Sequence, residues 1–334
     1  MKKNFISKAC AAIALASALT ACAPQEQHAT FHISGTTGET VADSTLLFLT
    51  DSKGNLLDSC LVVEGAFTFS GNADSVMVTA IGCPGQRPKI SFFAEEGNIS
   101  IDLTERKATG TPLNDDYTQF IAHVMSVEDA LQEEAEKNGA EELYLKHKND
   151  LLGVRMFNTL AYYYNYDELK AALDSACDEI KNNPTFLAKL ESKKAAEETA
   201  VGQKYVDITG INILTGDSLS LSSYIGKKLT LIDFWASWCG PCRREIPNIA
   251  KVAEKYKRQL NVVGIAVWDQ PHDTKRAMKE LNITWPVIFE RSASEPYGVL
   301  GIPHLVLIDK DGTILARGFH GEGIEAAVKE ALKK

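Results

Sequence analysis

The sequence offers little to a membrane, to nucleic acid or to a metal. Beyond residue 21 no apolar run approaches the ~20 residues that a bilayer-spanning helix needs, so the body of the chain reads as soluble. A basic surplus is also missing, since 35 Lys and Arg face 44 Asp and Glu. A surface of that sign repels phosphate backbones and anionic headgroups, and no nucleic-acid partner is expected. Zinc needs four ligands, and no second Cys or His pair stands at a suitable spacing beside the single Cys-x-x-Cys at Cys239 and Cys242. No metal and no cofactor is therefore expected. Breakers are scarce between Asn114 and Ala200 apart from Gly139, Gly153 and Pro184. Residues 31–103 lack any grouping of His, Asp, Glu or Ser suited to catalysis, which leaves them as scaffold or as a partner-binding surface.

What is present starts with an export signal. Lys2, Lys3 and Lys8 precede an apolar run from Ala9 to Ala21, the pattern of a processed segment. The run ends in Leu19-Thr20-Ala21-Cys22, which resembles the bacterial lipobox. That resemblance implies removal of residues 1–21 as a lipoprotein signal peptide and lipidation of Cys22. Residues 22–30 then form a tether, and the chain is expected in the bacterial cell envelope, facing the periplasm, with membrane contact through the lipid anchor alone. A plain secretory signal cut nearby is the alternative.

After loss of residues 1–21 the chain has 32 basic and 44 acidic side chains, a net charge of −12. Residues 22–200 hold 14 basic and 29 acidic groups, whereas residues 201–334 hold 18 and 15. The break marks a domain boundary, and the acidic part reads as a solvated surface. Of seven cysteines, Cys10 leaves with the signal and Cys22 is the anchor, so five remain. Five is odd, and at least one must stay free or pair outside the chain. Cys60 and Cys83 fall in one predicted β region, where they form either a bridge or buried free thiols.

Three regions follow. Residues 31–111 show short β segments between Gly, Asn and Asp turns, as in Leu46-Leu47-Phe48-Leu49 and Ala66-Phe67-Thr68-Phe69, and predict a small β-sandwich. The turns Asp58-Ser59, Glu64-Gly65 and Glu95-Glu96-Gly97-Asn98, with Gly35 and the flanking Phe pairs, resemble an uncharacterised N-terminal β domain found ahead of thioredoxin-like domains in bacterial envelope lipoproteins. Residues 112–200, rich in Ala, Leu, Glu and Lys at helical spacing, predict three or four helices. Tyr162, Tyr163, Tyr164 and Tyr166 read as core and packing material rather than as a partner surface, and Cys177 reads as buried and inert. In residues 201–334 strands near 229–236, 261–267, 287–290, 305–309 and 313–317 alternate with helices after the first three and at the end. This predicts an α/β layer fold, with Asp309-Lys310-Asp311-Gly312 turning the last hairpin.

The chemistry concentrates where a buried strand gives way to a helix, at Asp233-Phe234-Trp235-Ala236-Ser237-Trp238-Cys239-Gly240-Pro241-Cys242. Unpaired N–H groups and the helix dipole favour a thiolate on the first cysteine, and such sites lower a thiol pKa from about 8.5 to about 7 or below. Cys239 is expected to attack and Cys242, one turn further in and less exposed, to resolve.

Trp238-Cys239-Gly240-Pro241-Cys242 is similar to the thioredoxin motif, and residues 201–334 resemble the TlpA and ResA branch of that superfamily. The resemblance implies a thioredoxin fold, a redox disulfide between Cys239 and Cys242, and reduction of disulfides in exported proteins with electrons from an upstream thiol donor. It implies further that Asp233 is a buried acid exchanging a proton with Cys242, that Glu245 is an active-site glutamate, and that Ile302-Pro303 is a cis-proline loop lying against the disulfide. Trp238, Gly240, Pro241, Ile302 and Pro303 would then contact substrate, and Pro247 would kink the helix. Trp235, Phe234, Trp268 and Asp269 read as structural. Many relatives have Thr after the proline; His304 here reads either as a tuner of thiolate stability or as an exposed strand residue without a role. A thiol peroxidase is the second enzymatic reading, but the Pro-x-x-x-Thr/Ser-x-x-Cys element it needs does not surround Cys239. A third is a partner- or ligand-binding lipoprotein with a structural thioredoxin-like domain, which the intact Cys-x-x-Cys opposes.

Overall fold

The computed structural model describes residues 29–73 and 75–333. The expected signal peptide, with Cys10, and the expected lipidation site Cys22 lie outside the described residues. These divide into two compact units that meet between Glu128 and Asp129, and among them no helix is long and apolar enough to cross a membrane.

The first unit contains β1 (Ala29–Thr36), β2 (Leu46–Asp51), β3 (Leu56–Leu61), β4 (Ala66–Ala73), β5 (Met77–Gly82), β6 (Ile90–Ala94), β7 (Gly97–Asp102), β8 (Lys107–Thr109) and α1 (Pro112–Ser126). β1 starts inside the stretch read as tether. Two four-stranded sheets, ordered β4-β1-β7-β8 and β3-β2-β5-β6, share one core, in which Ile33, Phe69 and Ile99 of one meet Leu47, Ile81 and Phe92 of the other. Strand alternation produces this sandwich: Phe31 and Ile33 are buried while His32 and Ser34 between and beside them are exposed. The composition shift at residue 112 marks a helix but not the edge of the unit. Asn114 of α1 is stitched to β6, accepting from Phe93 N at 3.0 Å and donating to Phe93 O at 2.7 Å, and Glu95 Oε1 accepts from Leu113 N.

Register excludes the Cys60–Cys83 bridge. Leu47 pairs with Cys60 on one side, and on the other the Phe48–Gly82 register carries it opposite Cys83. Two strand spacings separate the cysteines by about 10 Å, beyond the ~7 Å that a disulfide tolerates. Both are free thiols.

The second unit opens with α2 (Gln132–Lys146), α3 (Leu151–Tyr163), α4 (Tyr166–Ser175), α5 (Asp178–Lys181) and α6 (Pro184–Glu198). With α1, six helices replace the three or four expected. Side-chain caps at Asp150, Asn165 and Asn183 cut the periodic pattern into short pieces, each cap satisfying N–H groups that an unbroken helix would not leave free. Phe157, Leu169, Leu173, Ile180 and Phe186 form their core. The tyrosines divide: Tyr164 packs against that core, Tyr163 donates to Glu136 at 2.6 Å, and Tyr162 is exposed. Cys177 is only half-buried.

The remainder comprises β9 (Thr209–Asn212), β10 (Ser218–Ser220), β11 (Leu229–Trp235), α7 (Gly240–Lys255), β12 (Leu260–Ala266), α8 (Pro271–Glu280), β13 (Val287–Phe289), β14 (His304–Ile308), β15 (Ile314–Arg317) and α9 (Glu322–Ala331). The seven-stranded sheet runs β10-β9-β13-β12-β11-β14-β15, with β11, β12 and β13 parallel and β14 and β15 antiparallel. This is the expected thioredoxin fold, extended by β9 and β10, which are too short and too polar to announce themselves in sequence. The helix expected after β13 is a single 3-10 turn at Glu295–Tyr297.

Every residue of β11 is buried, as a central strand covered on both faces requires. Its alternation sorts the two cores. Leu229, Leu231 and Trp235 pack with Ile246, Ile249 and Val252 of α7 and Ile324 and Val328 of α9. Ile232 and Phe234 pack on the other face with Tyr297 and Ile308. Helix α6 is locked to this domain. Arg317 Nη1 donates to Ala196 O, Thr199 O and Thr199 Oγ1 at 3.1, 2.8 and 3.0 Å, and its Nη2 donates to Tyr297 O at 2.7 Å. Gly298, at φ 59°, lies so close to α6 that a Cβ would overlap Ser192 O and Ala196 N.

Candidate active site

Cys239 is the N-cap of α7, and a disulfide joins it to Cys242 in the helix's first turn. Cys242 N donates to Cys239 Sγ at 3.1 Å, so a free N–H at the helix start points at the sulfur that would carry negative charge after reduction. Pro241 fills a helix position where no N–H is missed. Exposure does not separate the two cysteines as the sequence led us to expect, with Cys239 at 3% and Cys242 at 1%. Their surroundings do. The Ile302–Pro303 peptide is cis, and Ile302 O lies 3.6 Å from Cys239 Sγ, whereas Cys242 lies within the first turn of α7; both sulfurs belong to the core beneath that helix.

Asp233 lies on β11 at 2% exposure. Strand periodicity turns it to the α7 face, the side of Cys242, because Leu231 and Trp235 two residues away pack there. Among the described residues its Oδ1 has no hydrogen-bond partner. Burial, and after it the charge of Glu245, raises its pKa to about 7, which gives a carboxyl able to take and return a proton near neutrality. Glu245 does not face open solvent. Its Oε1 accepts from Asn248 Nδ2 and from Gly321 N, both at 3.0 Å, fastening α7 to the turn before α9. Pro247 stands inside α7 as expected.

His304 fits neither expectation. It is half-buried, and it packs near Phe234 on the face opposite Asp233. Its Nε2 accepts from Arg317 Nη2 at 3.3 Å. Burial, with the charges of Arg317 and His320, lowers its pKa to about 4, so it is neutral. Sequence reasoning passed over Arg317, whose one signal is an arginine closing the apolar strand Ile314-Leu315-Ala316.

Trp238 is 62% exposed, and its Nε1 donates to Trp268 O at 3.0 Å. Asp269 is buried and receives four hydrogen bonds, from Ser237 N and Oγ, Gln270 N and Thr274 Oγ1, at 2.7–2.8 Å. Burial alone would raise its pKa, but these donors outweigh burial and lower it. The ionised carboxylate thereby ties the turn before Cys239 to the end of β12.

Residues 201–317 match the AhpC/TSA family, and residues 31–117 match a domain of unknown function (DUF4369). Thiol-disulfide oxidoreductase ResA of Bacillus thuringiensis subsp. konkukian is 30% identical over 124 residues, which span 36% of this chain and 70% of that protein. The chain belongs to the ResA-like thiol-disulfide oxidoreductases. Thioredoxin-like protein YneN of Bacillus subtilis is 32% identical to it over 117 residues, 34% of this chain and 68% of YneN. The solved thioredoxin domain of a Bacteroides vulgatus thiol-disulfide oxidoreductase shares 30% identity, covers 39% of this chain and 96% of its own, and has a TM-score of 0.37. The residues that match the AhpC/TSA family, 201–317, include the Cys239–Cys242 disulfide, Asp233 and the cis-proline.

Proposed function

We propose that this oxidoreductase reduces disulfides of exported proteins in the bacterial envelope through Cys239 and Cys242. The observation that carries the reading is the Cys239–Cys242 disulfide at the start of α7, flanked by the cis-proline backbone and backed by a buried carboxyl on the Cys242 side. In the reduced enzyme the Cys239 thiolate attacks one sulfur of a substrate disulfide. That S–S bond breaks, a Cys239–substrate disulfide forms, and the second substrate sulfur leaves as a thiolate and takes up a proton. Cys242 then passes its proton to Asp233 and attacks Cys239 Sγ, which re-forms the intramolecular disulfide and frees the first substrate sulfur. Two electrons have moved to the substrate, and an upstream dithiol donor must return them. Ile302 and Pro303 offer backbone to the incoming chain, Trp238 shields the exchanging sulfurs, and Gly240 and Pro241 let the substrate approach the helix start. Glu245 adds negative charge that raises the proton affinity of the Asp233 carboxylate, which must be ionised to take the proton as Cys242 reacts.

The export signal and the lipobox-like Leu19-Thr20-Ala21-Cys22 support an envelope location with the acyl chains of Cys22 as anchor. The test uses Cys242→Ser, which forms the mixed disulfide but cannot resolve it. Expressed in the native envelope, this variant gives adducts that dithiothreitol removes and that vanish when Cys239 is also replaced. No adducts, together with failure of the wild-type chain to reduce insulin, overturns the reading.

A further inference from the structure

A solvent-open cleft of about 370 Å3 adjoins the reactive pair, walled by Trp238 and Trp268 and floored by Arg243, Asp273, Arg276 and Glu280. Two observations indicate that its shape is imposed rather than incidental. Trp268 has φ 53°, a left-handed conformation that is strained for a bulky side chain and persists only where neighbours enforce it. The neighbours are identifiable: Trp268 O accepts from the Trp238 indole, and the next residue, Asp269, is fixed by its four donors. The strained turn thus presents two indoles at one mouth, immediately before Cys239. The floor is coupled to the same loop, since Arg243 Nη1 donates to Ser237 O at 3.2 Å.

We propose that this cleft is a specificity subsite for a lysine or arginine side chain next to the disulfide of a polypeptide substrate. The proposal rests on the reductase reading above. The two guanidinium groups of the floor are paired with two of its carboxylates, Arg243 with Glu280 at 2.8 Å and Arg276 with Asp273 at 2.6 Å and with Glu280 at 3.9 Å, so these charges balance. Ionised Asp269 leaves the lining with three carboxylates against two guanidinium groups. Indole faces are negative at their centres and attract cations. An aliphatic stem lying along Trp238 and Trp268, with its charged end toward Asp273 and Glu280, satisfies both features. A glutamate in the same place meets repulsion from each.

The test measures reduction of three disulfide peptides that differ only in the residue beside cysteine, which is lysine, glutamate or norleucine, by the reduced full-length chain. In each case the peptide S–S bond breaks, the Cys239–Cys242 bond forms, and two electrons and two protons end on the peptide thiols. The lysine peptide is expected to react about tenfold faster than the glutamate peptide at low salt, the advantage shrinking as salt rises. Trp268→Ala and Glu280→Gln are each expected to bring the lysine-to-glutamate ratio toward one; Glu280 is on the solvent side of α8, so its variant remains folded even if loss of Trp268 disturbs the turn. Equal rates for all three peptides, a preference for glutamate, or a lysine preference untouched by Glu280→Gln overturns the subsite and leaves the reductase intact. Failure to reduce any peptide or insulin overturns the reductase reading, and the subsite with it.

Discussion

Replacing Asp233 by Asn should change the stability of the thioredoxin domain by an amount that grows with pH. Burial holds this carboxyl at about 7, against an ordinary 3.8. Between those values the folded protein binds one proton more than the unfolded chain, so Asp233 makes unfolding easier as pH rises, by about 1.4 kcal/mol per unit. The stabilisation due to the protonated form is complete below pH 3.8 and lost once pH has risen through 7, a total of roughly 4 kcal/mol. An amide does not titrate, and any cost of leaving its N–H groups unpaired beside a position that offers Oδ1 no partner is the same at every pH. The stability of the variant minus that of the wild type should therefore climb by roughly 4 kcal/mol from pH 4 to pH 8, whatever its starting value. Groups with lowered pKa, such as Glu325 and Asp311, both held near 2 by hydrogen bonds chiefly from lysines, are present in both proteins and cancel. Urea unfolding of the oxidised chain followed by tryptophan fluorescence measures the difference. All four tryptophans, Trp235, Trp238, Trp268 and Trp285, belong to this domain, so the β-sandwich is silent. A difference that stays flat across that pH range would refute a buried carboxyl of raised pKa at Asp233.

The same substitution should slow resolution of a trapped mixed disulfide more than its formation, as rapid-quench kinetics with a model disulfide would record; equal slowing of both would remove Asp233 from the proton path. In the reduced protein Cys239 should be alkylated well ahead of Cys242, which peptide mapping after brief iodoacetamide treatment checks. Arg317→Met strands Thr199 O and Tyr297 O without their donors and should cost about 2 to 4 kcal/mol in urea unfolding. Cys22→Ser should release the protein from membranes without altering insulin reduction, read by fractionation and turbidity.

The reactive pair was legible because its chemistry is local: a strand end, a helix start and two cysteines one turn apart fix the site within ten consecutive residues, 233–242. The burial of Asp233 was legible for a related reason, since apart from Thr230 its strand neighbours are apolar. The cleft was not, because it joins residues of three elements, and the conformation that shapes it belongs to Trp268, whose type does not announce a left-handed backbone. Arg317 was missed because its acceptors stand more than a hundred residues upstream, at the end of α6, and His304 was misread because its surroundings, Arg317 and Phe234, come together only in the fold. In the helical stretch, composition announced helices, but the capping side chains decided how many. For Cys60 and Cys83 the sequence left two readings open, and only register, with Leu47 between them, chose between these.

The grip of Arg317 on α6 bears on how this enzyme can be cut. A fragment beginning at residue 201, where the AhpC/TSA match starts, keeps both cysteines but discards Ala196 and Thr199, three of the acceptors of a half-buried guanidinium. It also uncovers the surface around Gly298, which is shaped to lie against a helix backbone. A fragment that keeps these contacts therefore starts no later than Asn183, the residue that caps α6, and the last helix before the thioredoxin fold braces the domain on which the redox pair is mounted.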